Sequence, residues 1–310
     1  MASLLKLLGH LLMMQIINAE AISSPIVLTA SCSETNGDNN THFVNPPSPH
    51  NGLCTLAVNH LDDNICQVRL DFIELELSEP EMDGQCVKDV FLVTGGISSP
   101  PLICGYNSGQ HMYVEVDSAG GSLHLTVYRS ATSPETNNWN IKVSQISCNS
   151  RYRAPYGCLQ YYTTTEGTVR SFNFKQDSPT AADGTREVAG LDYGVCVHKP
   201  GGCYGIIWSR NTTGGDYGFT LTTDVYSLIP ELLGTPAASA TGADCMTDYV
   251  LIPGGVDDLQ AQNDHYCGAG FPESVTSTVA PFVLYYHTDA DEALDSGSRG
   301  FSLNYQLIMQ

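Results

Sequence analysis

The strongest constraint on the fold of this chain is a pattern of cysteine, aspartate and glycine that occurs twice. The first copy reads Cys86-Val-Lys-Asp-Val-Phe-Leu-Val-Thr-Gly-Gly96 and is followed by Ile103-Cys104-Gly105. The second reads Cys245-Met-Thr-Asp-Tyr-Val-Leu-Ile-Pro-Gly-Gly255 and is followed by Tyr266-Cys267-Gly268. In both, an apolar run between Asp and Gly-Gly is typical of a buried strand. The repeat predicts two successive domains, which agrees with a length of 310 residues, about twice that of a usual domain.

Alternation of apolar and polar residues predicts β-strands along both halves, whereas helix signals are nearly absent. In Cys66-Gln-Val-Arg-Leu-Asp-Phe72 every second side chain is apolar, as in a strand with one buried face. Clusters of Gly, Asn, Ser, Pro and Asp separate it from similar segments, at residues 90–94, 112–116, 123–129, 139–146, 169–174, 204–209, 219–223, 249–252, 282–286 and 301–308. This pattern predicts an all-β sandwich or jelly roll in each half.

Residues 1–21 have the composition of a secretory signal peptide. A lone early cation, Lys6, precedes an apolar run at 7–17, and small residues follow. The run is short for a bilayer span, which favours cleavage over a membrane anchor. All 11 cysteines lie after this segment, and sequons at Asn39 and Asn211 would accept glycans on the secretory route. We therefore expect a soluble, extracellular glycoprotein stapled by disulfides.

The net charge and the motifs of the sequence argue against two classes of function, nucleic-acid binding and catalysis. The formal net charge of −20, from 33 acidic and 13 basic residues, argues against nucleic-acid binding, which needs a basic surface. The sequence contains no Gly-x-Ser-x-Gly elbow, His-Glu-x-x-His helix or phosphate loop, and no histidine lies at metal-binding spacing from another His or Cys. The sequence thus predicts a binding protein rather than an enzyme.

Both halves resemble the CUB domain family, which carries Cys-x-x-Asp before an apolar strand, an aromatic-Cys-Gly segment and a closing motif seen here as Gly300-Phe301-Ser302-Leu303-Asn304-Tyr305. The chain is still more similar to a group of secreted arthropod proteins with tandem CUB domains, through residues 65–72, 103–113, 139–148 and 154–162. The resemblance implies two tandem, jelly-roll-like β-sandwiches stapled by disulfides. They would cover residues 32–148 and 154–310, with a hinge at 149–153.

The resemblance also implies an N-terminal bridge and a bridge flanking the Cys-x-x-Asp strand in each domain. These pairs are Cys32–Cys54, Cys86–Cys104, Cys158–Cys196 and Cys245–Cys267. Cys66 opens a strand and Cys148 closes the first domain, so we predict a third bridge between them. Cys203 takes the position of Cys66 in the second domain, but Gln310 aligns with Cys148, so the expected partner is absent. Cys203 is then a buried thiol, a bridge to another chain, or bound to an unexpected partner within its domain.

Many members of the resembled family hold Ca²⁺ at one end of the sandwich, through several converging oxygen ligands. In the second domain Asp248 and Asp289 match the acidic residues of the family, and Asp224 is the nearest candidate for the third. In the first domain Asp89 matches, but the loop at 129–138 offers only Glu135. We expect Ca²⁺, if it binds, in the second domain. The alternative is that both repeat aspartates only stabilise turns through backbone hydrogen bonds.

The function predicted from the sequence is recognition of an extracellular protein through loops at one end of a sandwich. Two alternatives stay open. One is a structural matrix or coat component crosslinked through Cys203, and the other is a non-catalytic partner of a separately encoded secreted protease.

Overall fold

The computed structural model describes residues 27–47, 51–117, 119–176 and 185–310, so the predicted signal peptide at 1–21 lies outside the described residues. Within them the chain is all-β, with strands in four sheets that form two β-sandwiches. The helices in these ranges are short 3-10 turns, and none is long and apolar enough to cross a membrane.

The first sandwich contains strands β1 to β9, whose antiparallel pairs carry the two-residue burial alternation expected from the sequence. The strands are β1 (Thr29–Ala30), β2 (Glu34–Asn36), β3 (Thr41–Val44), β4 (Gly52–Val58), β5 (Ile65–Glu76), β6 (Asp89–Thr94), β7 (His111–Glu115), β8 (Leu123–Arg129) and β9 (Asn138–Ser147). One sheet has the order β1-β3-β9-β5-β7 and the other β2-β4-β8-β6. Between them lie fully buried rings, Phe43, Phe72, Phe91 and Trp139.

The second sandwich contains strands β10 to β21. They are β10 (Cys158–Tyr162), β11 (Glu166–Arg170), β12 (Asp192–Val197), β13 (Cys203–Arg210), β14 (Phe219–Thr220), β15 (Ser239–Thr241), β16 (Tyr249–Leu251), β17 (Val256–Asp257), β18 (His265–Gly268), β19 (Val275–Ser277), β20 (Phe282–His287) and β21 (Gly300–Met309). One sheet has the order β10-β12-β20-β16-β18-β15, and the other has the order β11-β21-β13-β19-β17 with β14 also pairing β21. The predicted strand at 169–174 ends early, because the backbone turns at Asn173, where φ is 64°.

Short 3-10 helices connect several strands of the second sandwich. They are Thr212–Gly218, Val225–Ser227, Pro230–Leu232, Pro236–Ala238, Gly242–Asp244 and Glu292–Leu294. The last of them follows β20 and belongs to the loop that builds the site described below.

Five disulfides staple the two sandwiches, and they join the same pairs that the sequence predicts. They are Cys32–Cys54, Cys66–Cys148, Cys86–Cys104, Cys158–Cys196 and Cys245–Cys267. Each lies within one sandwich, so the two sandwiches are held together by packing and hydrogen bonds rather than by a bridge.

Cys203 does not lie where the sequence alignment placed it. The closing strands β9 and β21 align as predicted, but the opening strands are offset by one residue. Val68 lies opposite Gln145 in the first sandwich, and Ile206 lies opposite Leu307 in the second. Because Gln145 and Leu307 are equivalent in the aligned closing strands, Val68 and Ile206 are equivalent as well. Counting back along each strand makes Tyr204 the counterpart of Cys66 and Cys203 the counterpart of Ile65. The prediction was therefore wrong by one residue, and in a strand a shift of one residue changes the face on which a side chain lies.

The offset explains the state of Cys203. The residue is 4% exposed, as buried as the 3% of Ile65, and its thiol lies 3.4 Å from the carbonyl oxygen of Gly205. No other cysteine of the described ranges is left to pair with it. The structure therefore favours the buried thiol over a bridge to another chain, which would require the start of β13 to open.

The register predicts a disulfide that can be engineered. Tyr204→Cys combined with Gln310→Cys should form the counterpart of Cys66–Cys148 and raise the free energy of unfolding by about 2 kcal/mol. Gln310→Cys alone should leave both thiols free, because Cys203 faces the core. Thiol titration of the unfolded chain and chemical unfolding check both statements. A bridge between Cys203 and residue 310 in the single variant would contradict the assigned register.

The sandwiches contact each other through a buried polar interface. Its edge strands are β7 and β10, where the His111 Nε2 lies 3.0 Å from the Tyr161 amide nitrogen. Asn173 is fully buried, and its side-chain oxygen accepts a hydrogen bond from the amide of Tyr106 at 2.7 Å. Within the predicted hinge, Arg153 forms an ion pair of 2.6 Å with Glu115. These contacts place loops of the first sandwich directly against loops of the second.

Candidate cation site

Three acidic side chains meet at one end of the second sandwich. Asp248, Asp289 and Glu292 each place one carboxylate oxygen within 4.8 Å of the others. Asp248 directly precedes β16, and Asp289 follows the end of β20. The two strands pair antiparallel, with Tyr249 opposite His287, so the start of one and the end of the other lie at the same edge. Strand pairing thus brings together two acids that are far apart in the sequence.

Backbone hydrogen bonds shape the loop that carries the third acid. The amide of Asp289 donates to Oδ1 of Asp248 at 2.8 Å, and the amide of Asp291 donates to Oδ1 of Asp289 at 2.8 Å. Asp291 then caps the 3-10 turn by accepting from the amide of Ala293 at 3.0 Å. The turn directs Glu292 inward, where it is 2% exposed.

Several buried carboxylate oxygens at this end of the sandwich have no hydrogen-bond donor among the described residues. Asp248 is fully buried, and its Oδ2 has no hydrogen-bond partner among the described residues. Neither oxygen of Glu292 has one, nor does Oε2 of Glu187, which is 1% exposed. Two charged carboxylates at this separation repel by about 3 kcal/mol at an effective dielectric constant of about 20. Since burial adds a desolvation cost, the arrangement fits a cation better than it fits ionised acids alone.

The pKa values of the buried carboxyl groups are raised by burial and by the same repulsion. Burial, and then the charges of Asp248 and Asp295, raise the pKa of Glu292 to about 9. Burial raises the pKa of Asp248 to about 6, against a bond from the amide of Asp289 that lowers it. Burial and the neighbouring Glu292 raise the pKa of Glu187 well above its usual range. A divalent cation would replace these protons, and several hard oxygens are what Ca²⁺ prefers.

The equivalent aspartate of the first sandwich has a different environment. Asp89 is fully buried and accepts hydrogen bonds from the Ser78 amide at 3.1 Å, the Ser130 amide at 3.1 Å, the Asn137 side chain at 2.5 Å and the Ser133 hydroxyl. Burial alone would raise the pKa of Asp89, but the bonds from Ser133 and Asn137 hold it below its usual range. Neutral donors therefore satisfy this carboxylate, and it needs no cation.

The register shows which residues replace one another in the two sandwiches. In the first sandwich Val90 lies opposite Tyr128, and at the equivalent position of the second sandwich Tyr249 lies opposite His287. Counting on from them sets Ser130 in the place of Asp289 and Ser133 in the place of Glu292. In both sandwiches the first of these residues donates its amide to the repeat aspartate. Two hydroxyls in the first sandwich thus stand where the second has two carboxylates.

The structure places the predicted metal ligands as follows. Asp248 and Asp289 lie together, but Asp224 is not in the cluster. It caps the turn Val225–Ser227 instead, with its Oδ1 accepting from the amide of Tyr226 at 3.1 Å. Its place is taken by Glu292, which sequence reasoning missed. The available signal was the density of acids in the loop after β20, at positions 289, 291, 292 and 295.

The two sequons differ in accessibility. Asn39 is partly exposed and stays a predicted glycan acceptor. Asn211 is 3% exposed, and its Nδ2 donates to the hydroxyl of Ser302 at 3.1 Å. Its Oδ1 caps the turn at Thr213. A glycan on Asn211 would disturb these contacts, so its burial argues against this predicted acceptor.

Comparison with known proteins finds one family model that matches the second sandwich. Residues 155–308 match the family model described as the animal CUB domain. A search of curated proteins finds no match. Similar solved structures include the CUB1-EGF-CUB2 domains of rat MASP-1, at 15% identity and a TM-score of 0.29, covering 90% of this chain and 99% of that one. Another is the CUB1-EGF-CUB2 domain of human MASP-1/3, at 14% identity and a TM-score of 0.28, covering 87% of this chain and 100% of that one.

Proposed function

We propose that this chain, whose second sandwich is a CUB domain, is a secreted, non-catalytic protein that recognises an extracellular protein through a Ca²⁺-ordered loop. CUB domains are typically extracellular modules for protein interaction. The observation that carries the proposal is the cluster of Asp248, Asp289 and Glu292, in which Oδ2 of Asp248 and both carboxylate oxygens of Glu292 are buried and lack hydrogen-bond partners among the described residues.

The domain organisation forms part of the proposal. Residues 1–21 are a signal peptide, residues 32–148 and 154–310 are two copies of the CUB fold, and residues 149–153 join them. The repeat of Cys-x-x-Asp and the equivalent registers of the two sandwiches support the first copy. The resemblance of residues 65–72, 103–113, 139–148 and 154–162 to secreted arthropod proteins is the basis for proposing an origin in that group.

The surface around the cluster indicates the kind of partner. Three large apolar side chains are exposed there, Met82 at 70%, Tyr226 at 65% and Leu294 at 84%. Met82 and Tyr226 also line a cavity of about 290 Å³ beside the acidic loop. Asp289 is only partly buried, so it can be reached from solvent. The partner surface would supply a basic side chain to the acidic loop and apolar side chains to this rim.

Calorimetric titration of the full mature chain with Ca²⁺ tests the cation site. We expect a single site with a dissociation constant of about 0.1–1 mM, as in other extracellular modules. Asp248→Asn should abolish the heat, because it removes a ligand charge without changing the size of the side chain. Asp89→Asn is the matched control and should leave Ca²⁺ binding unchanged. Absence of binding to the wild-type chain, or loss of binding in both variants, would overturn the proposal.

Partner recognition is tested by capture of secreted proteins on the immobilised chain. We expect a partner that binds in Ca²⁺, is released by chelator and is not captured by Asp248→Asn. A partner that binds equally with chelator present would show that recognition does not use the cation. The buried position of Cys203 gives no support to the crosslinked matrix component.

A further inference from the structure

We infer that the cation site is also a latch between the two sandwiches, because the loop that would hold the ion carries the docking contact for residues 81–85 of the first sandwich. Ion binding would then fix how the sandwiches sit against each other at this end. The inference rests on the proposed function, since it gives a second role to the same ion.

The contact between the loops is direct. The amide of Glu292 donates to the carbonyl oxygen of Asp83 at 3.1 Å, so one residue offers both a carboxylate to the cluster and a hydrogen bond to the other sandwich. The amide of Ala189 donates to the carbonyl oxygen of Gly84 at 3.0 Å. The side chain of Gln85 donates to the carbonyl oxygen of Ala290 at 2.7 Å.

The packing at Gly84 leaves no room for a side chain. A Cβ added there would lie 2.4 Å from Cγ of Glu292 and 2.9 Å from Cβ of Ala189. The backbone of Gly84 has φ of +74°, which also favours glycine. Residues 81–85 therefore lie against the aliphatic part of a proposed ligand, and any movement of Glu292 changes this contact.

Residues 81–85 and the acidic loop that carries Glu292 are held in position by different interactions. In the first sandwich, Glu81 and Gln85 close a turn, with the amide of Glu81 donating to the carbonyl oxygen of Gln85 at 2.9 Å, and the disulfide of Cys86 follows immediately. In the second sandwich, neither carboxylate oxygen of Glu292 has a hydrogen-bond partner among the described residues, so no side-chain bond fixes it beside Asp248. Without an ion the side chain is free to move, and the bond of the Glu292 amide to Asp83 is the contact that such a movement breaks. With the ion bound, ligation of its carboxylate would hold Glu292 in place.

Contacts distant from the cluster do not depend on the ion. Arg153 and Glu115 form their ion pair at 2.6 Å, and Gln160 donates to Gln110 at 2.9 Å. These contacts keep the sandwiches joined when the ion is removed. The latch therefore predicts a local opening between residues 81–85 and the acidic loop, not separation of the domains.

Hydrogen exchange of the full mature chain, with Ca²⁺ or with chelator, measures this opening. We expect exchange of the amides of Ala189 and Glu292 to be about tenfold slower in Ca²⁺. The amide of Ala154, which donates to Gln67 at 2.8 Å, reports on the distant contacts and should not change. Ca²⁺ binding in calorimetry without any change of exchange at Ala189 would overturn the latch and leave the proposed function intact. No calorimetric binding would overturn both.

Gly84→Ala tests the coupling in the opposite direction. The added Cβ should push residues 81–85 off the acidic loop without removing any carboxylate. Coupling between ion binding and docking is reciprocal, so a variant that opens this contact should also weaken Ca²⁺ binding. Gly52→Ala is the matched control, because Gly52 has φ of +96° but nothing within 4 Å of its added Cβ. Faster exchange at Ala189 in Gly84→Ala with unchanged Ca²⁺ affinity would contradict the latch.

Discussion

With divalent cations chelated, the second sandwich is expected to lose stability as the pH rises from about 4 to about 9, and Ca²⁺ is expected to restore it. The folded pKa of Asp248 is raised to about 6 and that of Glu292 to about 9, in each case chiefly by burial. The folded state therefore binds more protons than the unfolded chain. Stability from such groups is fully present below the unfolded pKa and is lost as the pH rises through the folded pKa.

The size of the stability loss follows from the pKa shift of each carboxyl group. Each pKa unit corresponds to about 1.4 kcal/mol, so Asp248 alone contributes about 3 kcal/mol between its ordinary range near 3.8 and its folded value of about 6. Glu292 adds to the loss in the same direction at higher pH. Bound Ca²⁺ stabilises the ionised carboxylates, so the decline should disappear in its presence.

Chemical unfolding at a series of pH values, with chelator or with Ca²⁺, checks this expectation. Trp208 is fully buried in the second sandwich, so its fluorescence in a Trp139→Phe background reports on that sandwich alone. Asp248→Asn should flatten the lower part of the profile, because the neutral amide does not titrate. Stability that rises with pH in chelator, or a profile that Ca²⁺ leaves unchanged, would contradict the assigned electrostatics.

The second expected result is that Asp89→Asn and Asp248→Asn change stability in opposite directions at about pH 8 in chelator. Asp89→Asn should lower the free energy of unfolding of the first sandwich by about 3–4 kcal/mol, because the amide group would face donors that now bond to a carboxylate oxygen. Those donors include Ser78 and Asn137, which both donate to Oδ2 of Asp89. Asp248→Asn should instead raise the stability of the second sandwich, because it removes one repelling charge from the cluster.

The pH dependence of stability at acid pH also distinguishes Asp89 from Asp248. The folded pKa of Asp89 is lowered against the effect of its burial, so its contribution is present above the unfolded pKa near 3.8 and is lost as the pH falls through the folded value. Fluorescence of Trp139 in a Trp208→Phe background reports on the first sandwich. Ca²⁺ should not rescue Asp89→Asn. Equal destabilisation by the two aspartate substitutions would mean that Asp248 is satisfied by donors in the way Asp89 is.

Several errors of the sequence analysis have one physical origin. The alternation in strands repeats every two residues, so a cysteine and its neighbour fit the same segment equally well, and Cys203 was aligned with Cys66 instead of Ile65. The register of hydrogen bonds between strands decides this, and it is not local. Asn211 carries a complete sequon, but its burial arises from packing against Ser302 of a strand near the end of the chain.

The sequence by itself determined the features that depend on local pattern. The repeat of Cys-x-x-Asp, the alternation in β5 and β9 and the turn residues between strands predicted two all-β sandwiches, and the two repeat copies made Asp248 the equivalent of Asp89. These signals are local because each strand buries one face of its own residues.

Only the tertiary structure decided what surrounds those two aspartates. Pairing of β16 with β20 placed Asp289 and Glu292 beside Asp248, whereas hydroxyl and amide donors converge on Asp89 from separate loops. Packing of the sandwiches then set Gly84 against Glu292. A carboxylate is satisfied or left unpaired by atoms from distant parts of the chain. For that reason no local pattern distinguishes a turn-stabilising aspartate from a cation ligand, and the folded environment does.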